Sequence, residues 1–266
     1  MDIHQCGLTF VRLVLGLSSP NESILGLDTS VQWTIDQESG RKVAGTLTLE
    51  ESVEGMDEPK IHVFDLNMNE LPKIRPTIRG RGTTAWSVVD PVTQEEILVK
   101  DSWRSGSYTA ESDFLQAAKS IAGVVQMIAF QDICAETRDY WPSDICPTIF
   151  RNRQKLRVAM KKYGKSIWKF KTRVELIRAI RDALVGECFS RSFFVRVFII
   201  ASGHRELFRK GILHRDVSAE NILLANMEDL HGVLIDLDIA VWVKDNVSPV
   251  PANPGLVSGV LYHGLC

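Results

Sequence analysis

A run in the carboxyl-terminal third, His214-Arg-Asp-Val-Ser-Ala-Glu-Asn221, constrains this chain more than any property of its bulk. It sets a carboxylate, Asp216, five residues ahead of a carboxamide, Asn221, and the apolar triplet Ile222-Leu-Leu224 follows at once. Fifteen residues past Asn221 a second carboxylate, Asp236, leaves the apolar pair Leu234-Ile235. The runs Asn221–Leu224 and Gly232–Ile235 read as two short strands of one hairpin, which sets Asp236 just beyond the loop. Carboxylate and carboxamide oxygens are the donors that a hard divalent cation takes.

A second cluster lies upstream. The turn Arg79-Gly-Arg-Gly-Thr-Thr84 leads into the strand Ala85–Val89, Asp90-Pro-Val-Thr-Gln94 makes a turn, and Ile97-Leu-Val-Lys100 forms the next strand. A helix is expected over Thr109–Ile121, with Phe114, Leu115 and Ala118 on one face. Glu111 on that helix is the natural ion-pair partner for Lys100, and Asp113, two residues on, is the competing candidate on another face. Farther upstream, Phe10–Leu17 is apolar and helix-like, while Gly45–Glu50 and Ile61–Leu66 read as strands around the acidic run Glu50–Glu58.

Composition excludes more than it identifies. Hydrophobic residues make up 45% of the 266 and charged residues 24%, an ordinary globular balance. The net charge of −2 provides no field for nucleic acid or an anionic membrane, so neither is expected as a partner. The five cysteines are scattered, with no Cys-x-x-Cys pair, and are expected as free thiols. Leu8–Leu17 is a poor signal peptide, interrupted by Arg12, and Phe193–Ala201 is far too short to span a bilayer, so an intracellular protein is expected. The basic segment Arg151–Lys171 reads as a solvated face or loop.

Four runs carry a resemblance to the fungal-type protein kinase family, a divergent branch of the protein-kinase fold. They are Gly80-Arg-Gly-Thr-Thr84, Val99-Lys-Asp-Ser-Trp103, Gly211-Ile-Leu-His-Arg-Asp-Val-Ser218 and Leu234-Ile-Asp-Leu-Asp-Ile-Ala240. The resemblance implies an α+β, bilobal fold: an antiparallel-sheet amino-terminal lobe with its extension over 1–140, and an incomplete, mainly helical carboxyl lobe over 141–266. It implies transfer of the γ-phosphoryl group of ATP to Ser or Thr hydroxyls of a protein substrate, with magnesium as cofactor. Asp216 is then the catalytic base, Asn221 and Asp236 hold the metal, Lys100 with Gly80 and Gly82 holds phosphates, and Glu111 orients Lys100. Two alternatives stand beside it: a small-molecule phosphotransferase of related fold, against which Arg215 argues, and a chain that binds nucleotide without turnover.

The chain departs from the common kinase pattern in several places. Ser218 stands where many Ser/Thr kinases have Lys, and Asp238 where they have the Gly of Asp-Phe-Gly. About 17 residues, Gly186–Ser202, interrupt a helix that the resemblance implies runs straight from Glu175–Leu184 into His204, and we expect a translated intron or other gene-model error there, with a genuine loop or added helix as the alternative. After Asp236 only 30 residues remain, rich in Pro and Gly near their end, and the large helices of a kinase carboxyl lobe are expected to be missing.

Overall fold

A computed structural model describes residues 7–23, 25–74, 81–106, 109–140, 150–184, 203–225 and 230–243. Gly80, the interruption 186–202 and the tail 248–266 lie outside the described residues. The fold is α+β, and the chain divides into two compact units, Met1–Gln116 with Val125–Lys162 and Ala117–Val124 with Tyr163–Cys266.

The first unit begins with helix α1 (Gly7–Leu17) and continues into strands β1 (Val31–Ile35), β2 (Lys42–Glu51), β3 (Lys60–Leu66), β4 (Lys73–Ile74), β5 (Thr84–Val89) and β6 (Glu96–Ser105). Helix α2 (Glu111–Ala117), β7 (Met127–Glu136) and β8 (Arg153–Lys161) follow. The strands form one antiparallel sheet in the order β1-β2-β3-β5-β6-β8-β7, with β4 paired to β5. Alternation explains its core. Leu47, Leu49, Phe64, Leu66, Val88, Ile97, Val99, Ala129 and Ala159 form one buried cluster. Lys100, next to Val99 on β6, therefore projects from the opposite face. The β5–β6 hairpin is set by Asp90, whose Oδ1 accepts from the backbone N–H of Val92 at 2.7 Å and of Thr93 at 3.1 Å.

Two expectations are corrected here. Helix α2 covers Glu111–Ala117, not Thr109–Ile121, because Ser120 takes a left-handed φ of 67° that ends any helical run. The basic run 151–171 is no solvated loop over its first half. Residues 153–161 form β8, which pairs along β6 from Ile97–Lys161 to Ser105–Arg153 and buries Leu156 through Met160. The sheet thus runs on past residue 140. Helix α1 forms where the apolar pattern puts it, but none of its residues is buried. Among the described residues no helix is long and apolar enough to cross a membrane.

The second unit holds helices α3 (Arg173–Leu184) and α4 (Gly203–Arg209) and strands β9 (Ile212–Leu213), β10 (Ile222–Leu224), β11 (Gly232–Leu234) and β12 (Val241–Trp242). Thr172 caps α3, its Oγ1 accepting from the Glu175 N–H at 3.1 Å, while Glu175 reaches back to the Lys171 N–H at 2.5 Å. β10 and β11 pair as an antiparallel hairpin, Ile222 opposite Leu234, and β9 pairs with β12. Helix α3 lies so close to β11 that a Cβ on Gly232 would sit 1.9 Å from the Ala179 carbonyl oxygen. Asp182 ties the end of α3 to the start of β11, accepting from the His231 N–H at 2.6 Å and bonding the ring at 3.0 Å.

Candidate active site

In the second unit the loop after β9 and the end of β11 are latched through backbone. The Ile235 N–H donates to the Asn221 carbonyl at 2.9 Å, directly past the β10–β11 pairing. His214 spans the other side. It is fully buried, with Nε2 3.0 Å from the Ile235 carbonyl oxygen and Nδ1 accepting from the Asp216 N–H at 3.3 Å. Burial pushes its pKa down to about 4, against the opposing pull of the Ile235 bond, so the ring is neutral and carries its proton on Nε2. One imidazole thus fixes the backbone on both sides of the acidic residues.

Asn221 is buried, and its Nδ2 donates to the Asp216 carbonyl at 3.0 Å. That bond engages the amide nitrogen and fixes Oδ1 as the carboxamide's acceptor atom. Asp236 begins the turn after β11 with a φ of 67°, and Arg215 has a φ of 68°. Left-handed backbone at two non-glycine residues, one of them a long side chain, is strain of the kind that functional loops hold. The structure therefore brings Asp216, Asn221 and Asp236 together around one hydrogen-bonded loop. Carboxylate and carboxamide oxygens are the hard donors a magnesium ion takes, and this set fits one.

In the first unit Lys100 and Glu111 are 8% and 3% exposed, and Lys100 Nζ lies 2.8 Å from Glu111 Oε2. Of the two carboxylates weighed for this partnership, α2 presents Glu111. The glycine turn sits on the same strand system. Gly82 has a φ of 52°, a Cβ there would lie 3.2 Å from Trp103 Cδ1, and the Trp103 N–H donates to the Arg81 carbonyl at 2.7 Å. Ala85, just past that turn, pairs directly with Lys100.

Sequence reasoning missed Arg157. On β8 it faces Asp101, the residue after Lys100, across the strand pair. Its Nε and Nη2 bond Asp101 Oδ1 and Oδ2 at 2.7 and 2.9 Å, its Nη2 also bonds Asp28 at 2.7 Å, and its Nη1 reaches the Thr48 carbonyl at 2.9 Å and Ser30. Burial alone would lower its pKa, but Asp101 and Asp28 hold it above the ordinary value. Burial likewise works to raise Asp28, and Arg157 and Lys155 overcome it, so that carboxylate titrates well below its usual range. The unbroken apolar run Leu156, Val158–Met160 around Arg157 was the signal that could have found it.

Residues 1–149 and 136–252 match the family model described as fungal protein kinase, two overlapping stretches that together span most of the chain. No curated protein matches it.

Proposed function

Since the chain belongs to the fungal protein kinase family, we propose that it is an intracellular kinase that moves the γ-phosphoryl group of ATP to a Ser or Thr hydroxyl of a protein. The fold we read for it is the bilobal kinase fold. The observation that carries the proposal is the latch in the second unit, where His214 and Asn221 bond Ile235 and so tie the loop of Asp216 and Asn221 to the segment of Asp236. A loop built only for stability has no need of two strained residues and two acidic side chains beside a buried carboxamide.

Asp216 accepts the proton of the attacking hydroxyl as its oxygen bonds the γ-phosphorus; the bond to the bridging oxygen breaks, and ADP leaves. Asn221 and Asp236 would hold Mg2+, which when bound neutralises phosphate charge. Lys100 binds the α- and β-phosphates, and Glu111 keeps its ammonium in place through the buried ion pair. Gly82, with Gly80 before it, lets backbone come close to the phosphates.

The test uses the 266-residue chain with radiolabelled ATP, Mg2+ and a Ser-containing protein substrate. Asp216→Asn should cut turnover by about 10²–10⁴-fold, the usual contribution of a positioned base. Mg-ATP at a hundredfold over its Kd should stabilise the wild type by about 2.7 kcal/mol in thermal unfolding and leave Asp236→Ala unshifted. A wild-type melting curve indifferent to Mg-ATP would sink the reading.

A further inference from the structure

An apolar groove of about 340 Å³ opens in the second unit against the loop that carries Asp216. Val217, Ser218 and Ala219, the three residues that follow Asp216, form one wall. Trp168, Phe170, Leu176 and Ile180 form the other. Trp168 is 64% exposed, so a large aromatic face is offered to water in a groove whose other wall starts one residue after Asp216.

Charge restricts what fits. Between Tyr163 and Ile180 the chain carries five exposed cations, Lys165, Lys169, Lys171, Arg173 and Arg178, interleaved with the groove's own residues. Among the described residues none of the five has a carboxylate partner. The single carboxylate in that stretch, Glu175, is spent on the Lys171 N–H. On the opposite wall Glu220, exposed and next to Ala219, carries the reverse charge. The stretch that forms the Trp168–Ile180 wall thus carries exposed positive charge, and the residue after Ala219 on the loop wall is acidic.

Resting on the kinase reading above, we infer that this groove selects the protein substrate. It takes a segment with a bulky apolar residue near the phosphoacceptor hydroxyl and acidic residues on the side of Lys169–Arg173. The apolar side chain is buried against Trp168, Phe170 and Ile180, and the acidic neighbours meet the cations. The acceptor hydroxyl follows on at Asp216 because Val217 is common to loop and groove.

Fluorescence anisotropy on the full chain tests this apart from turnover. Three labelled peptides each carry one Ser: one with Leu-Phe and adjacent Asp and Glu, one with Lys replacing the acids, one with Ala replacing Leu-Phe. The first should bind roughly tenfold tighter than either control, the order expected for one large side chain partly buried. Trp168→Ala should remove that advantage, and Lys169→Glu with Lys171→Glu should turn the preference toward the Lys peptide. All three positions are exposed, and matching melting curves establish that the variants fold. Equal binding of the three peptides, or binding unchanged in the variants, overturns the inference. So does binding of none, with sedimentation then distinguishing a groove filled by a second copy from one filled by the chain itself. Offering the same peptides with ATP separates the two readings. Binding with the stated preference but no phosphate transfer removes the kinase reading alone. Transfer to all three at equal efficiency removes the groove alone.

Discussion

His214 has no exposed surface, and both its ring nitrogens are committed to backbone on different segments. Only the neutral ring can donate from Nε2 and accept at Nδ1 at once. Burial holds its pKa near 4, with His204 pushing the same way and Asp236 and Asp216 opposing. In the unfolded chain the same ring titrates near 6.5. The unfolded state therefore binds the proton first as the pH falls. This share of stability is complete above pH 6.5, is lost progressively toward pH 4, and is constant below. Its size is about 3 kcal/mol over the window, the shift taken at the standard energy per unit. Urea midpoints measured across that range check it against His214→Gln, which keeps a side-chain N–H but cannot titrate. The variant should be less stable at pH 7.5 and should lack this part of the acid slope. Parallel slopes for the two proteins would mean that His214 is not the titrating group.

Among the elements, β8 shows how charge can hide a strand. It carries Arg153, Lys155, Arg157 and Lys161, yet its middle is among the most buried backbone of the first unit. Arg157 is 1% exposed and tolerable there only because Asp101 grips it with both oxygens and Asp28, Thr48 and Ser30 take its remaining donors. Arg157→Met keeps the length but takes the two-pronged partner from buried Asp101 and leaves it Lys155 alone, at 3.1 Å, and should cost about 3 kcal/mol, the lower end of the loss seen when one partner of a buried pair goes. Pairing Arg157→Met with Asp101→Leu removes both charges and should recover most of that loss. Chemical denaturation of the single and double variants measures it, and additive losses would show that the pair is not coupled. Nothing in the sequence announces this pair, whose members lie 56 residues apart. By contrast β2 and β3 were legible because each alternates with a period of two, and β5 and β6 because turn residues bracket their apolar runs. The acidic segments were legible for another reason: Asn221 and Asp236 flank one short hairpin, so local spacing and backbone proximity coincide. Lys100 and Glu111 are close in sequence too, on consecutive elements. The far end of α2 was overdrawn because a serine, rather than a glycine or proline, takes the left-handed turn that stops it.

Across the molecule, the most unusual feature of the sequence is the run 186–202, which falls where the resemblance implies one continuous helix. Its flanks meet. A Cβ on Gly203 would stand 2.6 Å from the Ala183 carbonyl oxygen and 3.2 Å from that of Gly123, so α4 starts where α3 stops. Glycine is needed at 203 for that approach, as it is at 123, where a Cβ would fall 2.1 Å from the Asp182 carbonyl oxygen. A segment whose ends already adjoin imposes a loop-closure cost on folding and is not required to bring α3 and α4 together. For 17 residues that cost is roughly 2–3 kcal/mol on the chain-entropy scaling. Excising 186–202 and joining Val185 to Gly203 should therefore leave a cooperative transition whose urea midpoint equals or exceeds that of the parent. The latch at His214 and the capped start of α3 lie outside the excision, so the Mg-ATP response should survive as well. Loss of the cooperative transition would show that the oily run Phe193–Ile200 supplies core that the remaining residues cannot replace.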